Sequence, residues 1–298
     1  WINMAFNFCT CKCKYYKHIF CFNDVNKNGN LKMENKIDEL FHRLRANKST
    51  ALIPFVPINW PSKEDTVSIV EAALNAGAHA IELGIPFSDP LADGTTNQNA
   101  YQEALENGAN VSNLFQIVKK LRNKKIEKPI IAFSYYNPIH KFGTELFLKQ
   151  AQESGLDAVI IVDLPPEESH QFSKLAKKHN VHQIYLLAPT SDTDRIKLVS
   201  QQATGFIYCV SVSGTTGIRE DFSDALVHFI SKVKKYTDLP IAIGFGVSKK
   251  KHIDFIANIA DGAIVGSAFV EEIRNSSYSD RSLKITEFVK NLVEVNED

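Results

Sequence analysis

Apolar residues follow two alternating spacings along most of this chain. Short continuous apolar runs, such as residues 51–56, have the length of buried strands, and the segments between them place apolar residues three and four positions apart. The second spacing produces one apolar face on a helix. Its first occurrence is the set Ile37, Leu40, Phe41 and Leu44. From Met33 onward the chain is therefore predicted to alternate helices and strands.

Eight apolar runs are predicted to be strands, at residues 51–56, 79–83, 129–133, 157–162, 183–187, 206–210, 240–243 and 263–265. The helical patterns that follow them cover residues 62–75, 145–154, 167–179, 194–201, 223–236, 249–259 and 283–293, with another around Leu114, Ile117, Val118 and Leu121. Strands that alternate with helices form a parallel sheet. Eight units in roughly 265 residues predict a (β/α)8 TIM barrel, a single α/β domain over residues 33–298.

An open, doubly wound sheet is the alternative arrangement for alternating strands and helices. Such a sheet would carry a G-x-G-x-x-G phosphate-binding loop after its first strand. Residues 57–61 read Pro-Ile-Asn-Trp-Pro, which is no nucleotide-binding loop. The closed barrel is therefore the favoured fold.

The first 32 residues differ from the rest, because they are rich in Cys, Lys, Asn and aromatic residues and have no helical or strand period. A disordered N-terminal extension is the favoured interpretation. Translated sequence upstream of a start at Met33 is an alternative, and so is an organelle transit peptide, since no acidic residue precedes Asp24. Four of the five cysteines lie here without a C-x-x-C pair, so no metal site is predicted.

Charge and cysteine usage limit the function classes. Lys plus Arg and Asp plus Glu both number 34, so the formal net charge is zero and binding to nucleic acid or an anionic membrane is disfavoured. No apolar run approaches the roughly 18–20 residues of a membrane span. The cysteines do not spread as a disulfide framework would. We expect a soluble protein of a reducing compartment.

Carboxylates lie where a barrel places its active site, at the carboxyl ends of the strands. In the second strand Ile81 and Leu83 share one face, so Glu82 points into the barrel mouth. A carboxylate there is costly unless it has a task or a partner, and a buried salt bridge is the structural alternative. The following loop adds Asp89 and Asp93. Two carboxylates in different environments can divide acid and base roles, although either aspartate alone fits turn chemistry.

Two further features lie at the ends of later strands. Asp163 follows the fourth strand and is either a further acid or part of a turn. Glycines follow the sixth, seventh and eighth strands, in residues 211–217, in Gly244-Phe-Gly246 and in Gly266-Ser267. Barrels commonly bind phosphate with the loops after the seventh and eighth strands and with a helix N-terminus. A phosphorylated ligand is therefore predicted.

Residues 81–94 read Ile-Glu-Leu-Gly-Ile-Pro-Phe-Ser-Asp-Pro-Leu-Ala-Asp-Gly. This segment resembles the signature of the tryptophan synthase alpha chain family throughout its length. Further motifs follow in the family's order, namely Asp163-Leu-Pro, Tyr208, Ser213-Gly-Thr-Thr-Gly217, Gly244-Phe-Gly246 and Gly266-Ser267. The resemblance covers roughly residues 34–298.

The resemblance implies a retro-aldol cleavage of indole-3-glycerol phosphate to indole and glyceraldehyde 3-phosphate, without a cofactor. It implies that Glu82 protonates indole C3 and assists at the glycerol hydroxyl, and that Asp93 accepts or stabilises the indole N–H proton. The substrate-binding residues it implies are Phe55, Phe133, Tyr135, Ile160, Tyr208, Thr216 and Phe245, with Thr216 in a mobile loop that meets Asp93. The phosphate-binding residues it implies are Gly217, Gly246, Gly266 and Ser267.

The resemblance also implies a partner, the tryptophan synthase beta chain, in an α2β2 tetramer. This chain departs from the family's pattern at residues 57–61 and at Thr95, in loops that meet the beta chain in relatives. A stand-alone lyase that releases indole is therefore kept as an alternative. The abundance of Lys, Asn, Ile and Phe is typical of AT-rich genomes, so a plastid stroma or a bacterial cytoplasm is expected.

Overall fold

The computed structural model describes residues 35–210, 224–244 and 246–293. Within them, eight parallel strands pair in sequence order and close into a barrel through pairing of the first strand with the last. They are β1 (Ala51–Pro57), β2 (Ile81–Gly84), β3 (Ile130–Ser134), β4 (Ala158–Ile161), β5 (His182–Leu187), β6 (Ile207–Val210), β7 (Ile241–Gly244) and β8 (Gly262–Val265). The predicted (β/α)8 barrel is confirmed.

Helices surround the strands and cover their outer faces. They are α1 (Lys36–Ala46), α2 (Asp65–Asn75), α3 (Thr95–Glu106), α4 (Val111–Asn123), α5 (Tyr136–Phe142), α6 (Thr144–Ser154), α7 (His170–Lys178), α8 (Thr193–Gln202), α9 (Asp224–Lys234), α10 (Lys250–Ile259), α11 (Ser267–Arg274) and α12 (Arg281–Val293). The prediction that residues 1–32 form a disordered extension lies outside the described residues and stays a prediction.

Helix α1 closes the amino-terminal end of the barrel. Asn35 caps it through a complete capping box, and its predicted apolar face is buried. The Asn35 amide also donates to the Asp157 carbonyl at the start of β4 (2.8 Å), and His182 of β5 contacts Asp38 (2.7 Å). The Phe41 and Phe206 rings pack 5.5 Å apart. Because α1 occupies this end, the carboxyl ends of the strands form the free end.

Helices α3 and α5 were absent from the sequence prediction, α11 was expected only as a helix start at Gly266-Ser267, and α2 and α7 each begin three residues later than predicted. Helix α3 buries mainly small residues on a polar sequence, and α5 has only seven residues, so neither displays a long apolar period. Helix α2 begins at Asp65 and not at Ser62. The Ser62 N–H donates to the Asp65 carboxylate (3.1 Å), but the residue before the helix, Glu64, makes no side-chain cap.

Arg122 on α4 joins the backbone near the amino-terminal end of β4. Its guanidinium donates to the Gly155 carbonyl (3.0 and 2.9 Å), to the carbonyls of Ile126 (2.6 Å) and Lys128 (2.8 Å), and to the Asp157 carboxylate (2.6 Å). The same Asp157 oxygen accepts the Ile130 N–H (2.8 Å). This cluster therefore fixes the turns before β3 and β4.

Replacing Arg122 by Ala should strongly destabilise the barrel, because it removes the charged partner of the buried Asp157 carboxylate and a donor to three backbone carbonyls. Loss of one partner of a buried ion pair costs about 3–5 kcal/mol, which lowers the melting temperature by roughly 6–20 °C. Arg195→Ala is the matched control, since Arg195 pairs with Glu167 at the surface, and its loss should cost at most about 1 kcal/mol. Equal shifts of the melting temperature in the two variants would contradict this interpretation of Arg122.

Candidate active site

Apolar side chains line the inside of the barrel at its free end. Phe55 of β1 and Phe133 of β3 pack with their centroids 5.5 Å apart, although β2 separates their strands. Their rings can meet only inside the barrel. Ile160 of β4 is level with Phe133, and Tyr208 of β6 is buried as well. Four of the predicted substrate-binding side chains are thus buried at the ends of β1, β3, β4 and β6.

Glu82 is level with Phe55 in β1 and with Ile131 in β3, and only 1% of its surface is exposed. Its Oε1 atom has no hydrogen-bond partner among the described residues. Burial raises the pKa of the Glu82 carboxyl to about 8. The salt-bridged alternative therefore has no support within the part of the chain that the structure describes, and Glu82 holds a proton at neutral pH.

Asp93 differs from Glu82 because donors surround its carboxylate. The Tyr135 hydroxyl donates to Asp93 Oδ2 (2.7 Å) and accepts the Ala92 N–H (3.0 Å), while the Asn97 amide donates to Asp93 Oδ1 (3.3 Å). Burial raises the pKa of Asp93, and the bonds from Tyr135 and Asn97 oppose that rise. Tyr135, expected only as a wall of the substrate pocket, thus also holds Asp93 and its loop.

Two strand-end glycines make room for aromatic side chains. A Cβ on Gly84 would lie 2.7 Å from the Phe55 ring and 2.8 Å from the Tyr101 ring. A Cβ on Gly244 would lie 2.1 Å from the Tyr208 hydroxyl oxygen. Any side chain at either position would therefore displace the aromatic residue beside it.

Tyr101 is a buried polar residue that sequence reasoning missed. Its ring packs edge-on against Phe55 (6.0 Å), and its hydroxyl has no partner among the described residues. Burial is the main cause that raises the pKa of this phenol, and the charges of Asp93, Tyr135 and Glu82 raise it further. Tyr101 lies on α3, which the apolar pattern did not reveal.

The predicted phosphate end is described in part. Gly266 precedes α11, and no side chain from the described residues caps the N-terminus of this helix, which begins at Ser267. Gly246 has a φ of +77°, a conformation that favours glycine. Thr216, Gly217 and Phe245 lie outside the described residues, so their predicted roles stay predictions.

The other loop acids have local roles. Asp163 is exposed, and its carboxylate accepts the Tyr136 N–H at the start of α5 (2.6 Å). Asp89 accepts a hydrogen bond from the neighbouring Ser88 hydroxyl (2.5 Å). These contacts favour the turn interpretation of Asp163, and Glu82 and Asp93 stay the predicted carboxylate pair.

The described residues contain neither a cluster of metal-binding side chains nor a membrane-spanning helix. No group of three or more His, Cys, Asp and Glu side chains in these segments could hold a metal ion. Of the helices that the structure describes, none is both long enough and apolar enough to span a membrane.

Comparisons with known proteins agree on one family. The family model "Tryptophan synthase alpha chain" matches residues 41–297. The tryptophan synthase alpha chain of Chloroflexus aggregans is 40% identical over 263 residues, which are 88% of this chain and 98% of that one. The corresponding chain of Thermoanaerobacter sp. (strain X514) is 42% identical over 262 residues, 88% of this chain and 99% of that one.

Solved structures give the same result. Tryptophan synthase subunit alpha from Legionella pneumophila str. Paris superposes with a TM-score of 0.81 at 34% identity, covering 87% of this chain and 97% of that one. A chain of the tryptophan synthase complex from Pyrococcus furiosus superposes with a TM-score of 0.76 at 34% identity, covering 82% of this chain and 98% of that one. The chain described here therefore belongs to the tryptophan synthase alpha chain family.

Proposed function

We propose that Glu82 and Asp93 carry out the reaction of this family, the cleavage of indole-3-glycerol phosphate to indole and glyceraldehyde 3-phosphate. Membership of the family makes the chain a carbon–carbon lyase of tryptophan biosynthesis. The observation that carries the residue assignment is the buried Glu82 carboxyl, whose pKa of about 8 keeps it protonated at neutral pH. A proton donor to carbon needs that state.

The two carboxyl groups divide the proton transfers. Glu82 gives its proton to C3 of the indole ring while the N1 proton passes to Asp93. The Glu82 carboxylate then takes the proton of the hydroxyl on the carbon bonded to C3. The electron pair of that carbon–carbon bond moves into the ring, the hydroxyl carbon becomes the aldehyde, and N1 regains its proton from Asp93.

The substrate-binding assignment follows from the chemistry of each surface. The indole ring occupies the apolar pocket of Phe55, Phe133, Ile160 and Tyr208, with Tyr135 beside it. The phosphate binds to backbone N–H groups at Gly246, Gly266 and Ser267, where the start of α11 favours an anion. From the sequence alone, Thr216 and Phe245 are proposed as further substrate-binding residues and Gly217 as a further phosphate-binding residue.

A beta chain is the proposed partner, in an α2β2 complex that passes indole on. A tryptophan synthase complex is known for the similar chain from Pyrococcus furiosus. In the loop that carries Asp93, Leu91 is 90% exposed, an apolar side chain that a partner could cover. No cofactor is required by the reaction as written. Indole release measured with and without a beta chain separates this proposal from a stand-alone lyase.

The compartment is proposed from the sequence and the relatives. A reducing environment, either a plastid stroma or a bacterial cytoplasm, fits the cysteine pattern and the buried Cys209 thiol. The two relatives compared by sequence, from Chloroflexus aggregans and Thermoanaerobacter sp., come from bacteria. Neither a nucleic acid nor a membrane is proposed as a partner.

Replacing Glu82 by Gln should lower the rate of indole release at least about 100-fold, because the amide keeps the shape of the side chain but cannot donate the proton. Steady-state indole release from indole-3-glycerol phosphate measures this. Glu287→Gln makes the same chemical change at an exposed position on α12 and should leave the rate unchanged. A rate in Glu82→Gln close to that of the unmodified chain would rule out the assignment.

The same substitution should change how stability depends on pH. Burial raises the pKa of Glu82 from 4.5 to about 8, so between these values the folded chain keeps a proton that the unfolded chain releases. The neutral carboxyl makes its full contribution to the stability of the folded chain below pH 4.5, and this contribution is lost as the pH rises to about 8. The free energy of unfolding of Glu82→Gln, measured with urea, should therefore rise relative to that of the unmodified chain by about 1.4 kcal/mol per pH unit in this window. A constant difference from pH 5.5 to 7.5 would contradict the raised pKa.

Gly246→Val should raise the KM for indole-3-glycerol phosphate at least about tenfold, because the side chain blocks close approach of the phosphate to the backbone and strains a φ of +77°. Gly108→Val is the matched control, since Gly108 has a φ of +78° and open space around its Cβ position. Gly108→Val therefore introduces the same backbone strain at a position away from the proposed phosphate site. Equal changes of KM in both variants would place the phosphate elsewhere.

A further inference from the structure

Asn97 is a polar residue of the site to which the family signature assigns no role. It lies in the first turn of α3, and its Nδ2 donates to Asp93 Oδ1 (3.3 Å). The Oδ1 of Asn97 is buried and has no partner among the described residues. Because a buried amide oxygen normally accepts a hydrogen bond, this atom calls for a donor.

Asn97 also lies beside the first turn of α11. Its Nδ2 would be 3.8 Å from a Cβ built on Gly266. The two helices are held together next to it, since the Thr96 hydroxyl donates to Glu271 (3.4 Å) and Arg274 pairs with Glu103 (2.6 Å). Asn97 therefore lies between the Asp93 carboxylate and the helix N-terminus proposed to bind phosphate.

The chemistry of the amide fixes which group it can serve. Two oxygen acceptors repel, so the amide presents its N–H to Asp93 and its oxygen to the other side. A phosphate has no proton to donate to that oxygen when it is fully ionised. The substrate has a glycerol chain between indole and phosphate, and its hydroxyls are donors.

We propose that Asn97 is a positioning and specificity residue, which orients Asp93 through its amide N–H and accepts a hydrogen bond from a hydroxyl of the substrate's glycerol chain through its oxygen. The inference rests on the proposed function, because it takes the substrate to be indole-3-glycerol phosphate. It adds to that function a direct contact with the part of the substrate that neither the indole pocket nor the phosphate loops bind.

The experiment compares two ligands in two variants. Asn97→Leu removes both hydrogen bonds with little change of size, and Asn99→Leu is the control at an exposed position of the same helix. For indole-3-glycerol phosphate, KM and kcat are measured. For 3-(indol-3-yl)propyl phosphate, which lacks both glycerol hydroxyls, the inhibition constant is measured.

In Asn97→Leu the KM for the substrate should rise at least about tenfold, whereas the inhibition constant of the hydroxyl-free analogue should change less than about threefold. Asn99→Leu should change neither. An unchanged inhibition constant also shows that the variant is folded. Equal weakening of both ligands, or no change in either, would overturn the hydroxyl contact. If the unmodified chain did not cleave the substrate at all, the proposed function would fail instead.

A pH profile tests the orienting role separately. The Asn97 N–H favours ionised Asp93, so its removal should move the acidic limb of kcat/KM to higher pH. The other titratable groups near Asp93 in the described residues are Glu82, Tyr101, Tyr135 and Tyr208. The pKa values of these side chains are about 8 for Glu82 and above the ordinary value for the three phenols, so none of them gives an acidic limb. The substrate phosphate has a second pKa of about 6 and titrates identically with both chains, so a difference between the limbs of the two chains belongs to Asp93. An acidic limb that stays in place would overturn the orienting role.

Discussion

The burial of one uncompensated carboxyl group governs the free end of this barrel. Glu82 comes from β2, the strand between those that carry Phe55 and Phe133, and it is level with Phe55, whose ring packs against that of Phe133. Within the described residues no basic side chain pairs with it, and the charged form would be costly. The carboxyl therefore keeps its proton, which is the state in which it can protonate a carbon atom. An ion pair at this position would stabilise the charged form and remove that capacity.

The second carboxyl group shows how one barrel supplies both an acid and a base. Asp93 is held by donors from two sides, Tyr135 after β3 and Asn97 on α3, and these bonds favour its ionised form against the effect of burial. The pKa of Glu82 is shifted by burial alone. The difference between the two groups thus arises from hydrogen-bond donors and not from residue type or depth alone, since both side chains are largely withdrawn from water. Burial raises the pKa of both carboxyl groups, but only at Asp93 do hydrogen bonds oppose that rise, and two neighbouring carboxyl groups in such different environments can divide acid and base roles.

Much of this arrangement was predictable from the sequence, because strand alternation is a short-range property. The position of Glu82 between Ile81 and Leu83 was enough to direct it into the barrel, and the apolar runs predicted all eight strands of the described barrel to within about two residues at either end. Helix α3 was missed because its buried face is built from Ala100, Tyr101 and Ala104 on a polar sequence. The same omission hid Tyr101 and Asn97. Their roles depend on contacts with Phe55, Asp93 and Gly266, which lie on other elements, and spacing along one segment carries no information about those contacts.

Two groups of buried polar side chains differ in how far the fold supplies their hydrogen bonds. At the amino-terminal end, the Asp157 carboxylate accepts hydrogen bonds from Arg122 and from the Ile130 N–H, so the protein itself supplies its donors. At the other end, the described contacts leave Glu82 Oε1, Asn97 Oδ1 and the Tyr101 hydroxyl without partners. A fold selected for stability alone would replace such groups by apolar ones of similar shape, because unmade buried hydrogen bonds are costly. Unpartnered buried atoms also occur elsewhere, as at His182 Nδ1, but these three lie beside one apolar pocket. A polar ligand bound there can complete them with its own donors and acceptors. The satisfied network near β4 then supplies the rigidity that allows the unsatisfied groups to be held in place.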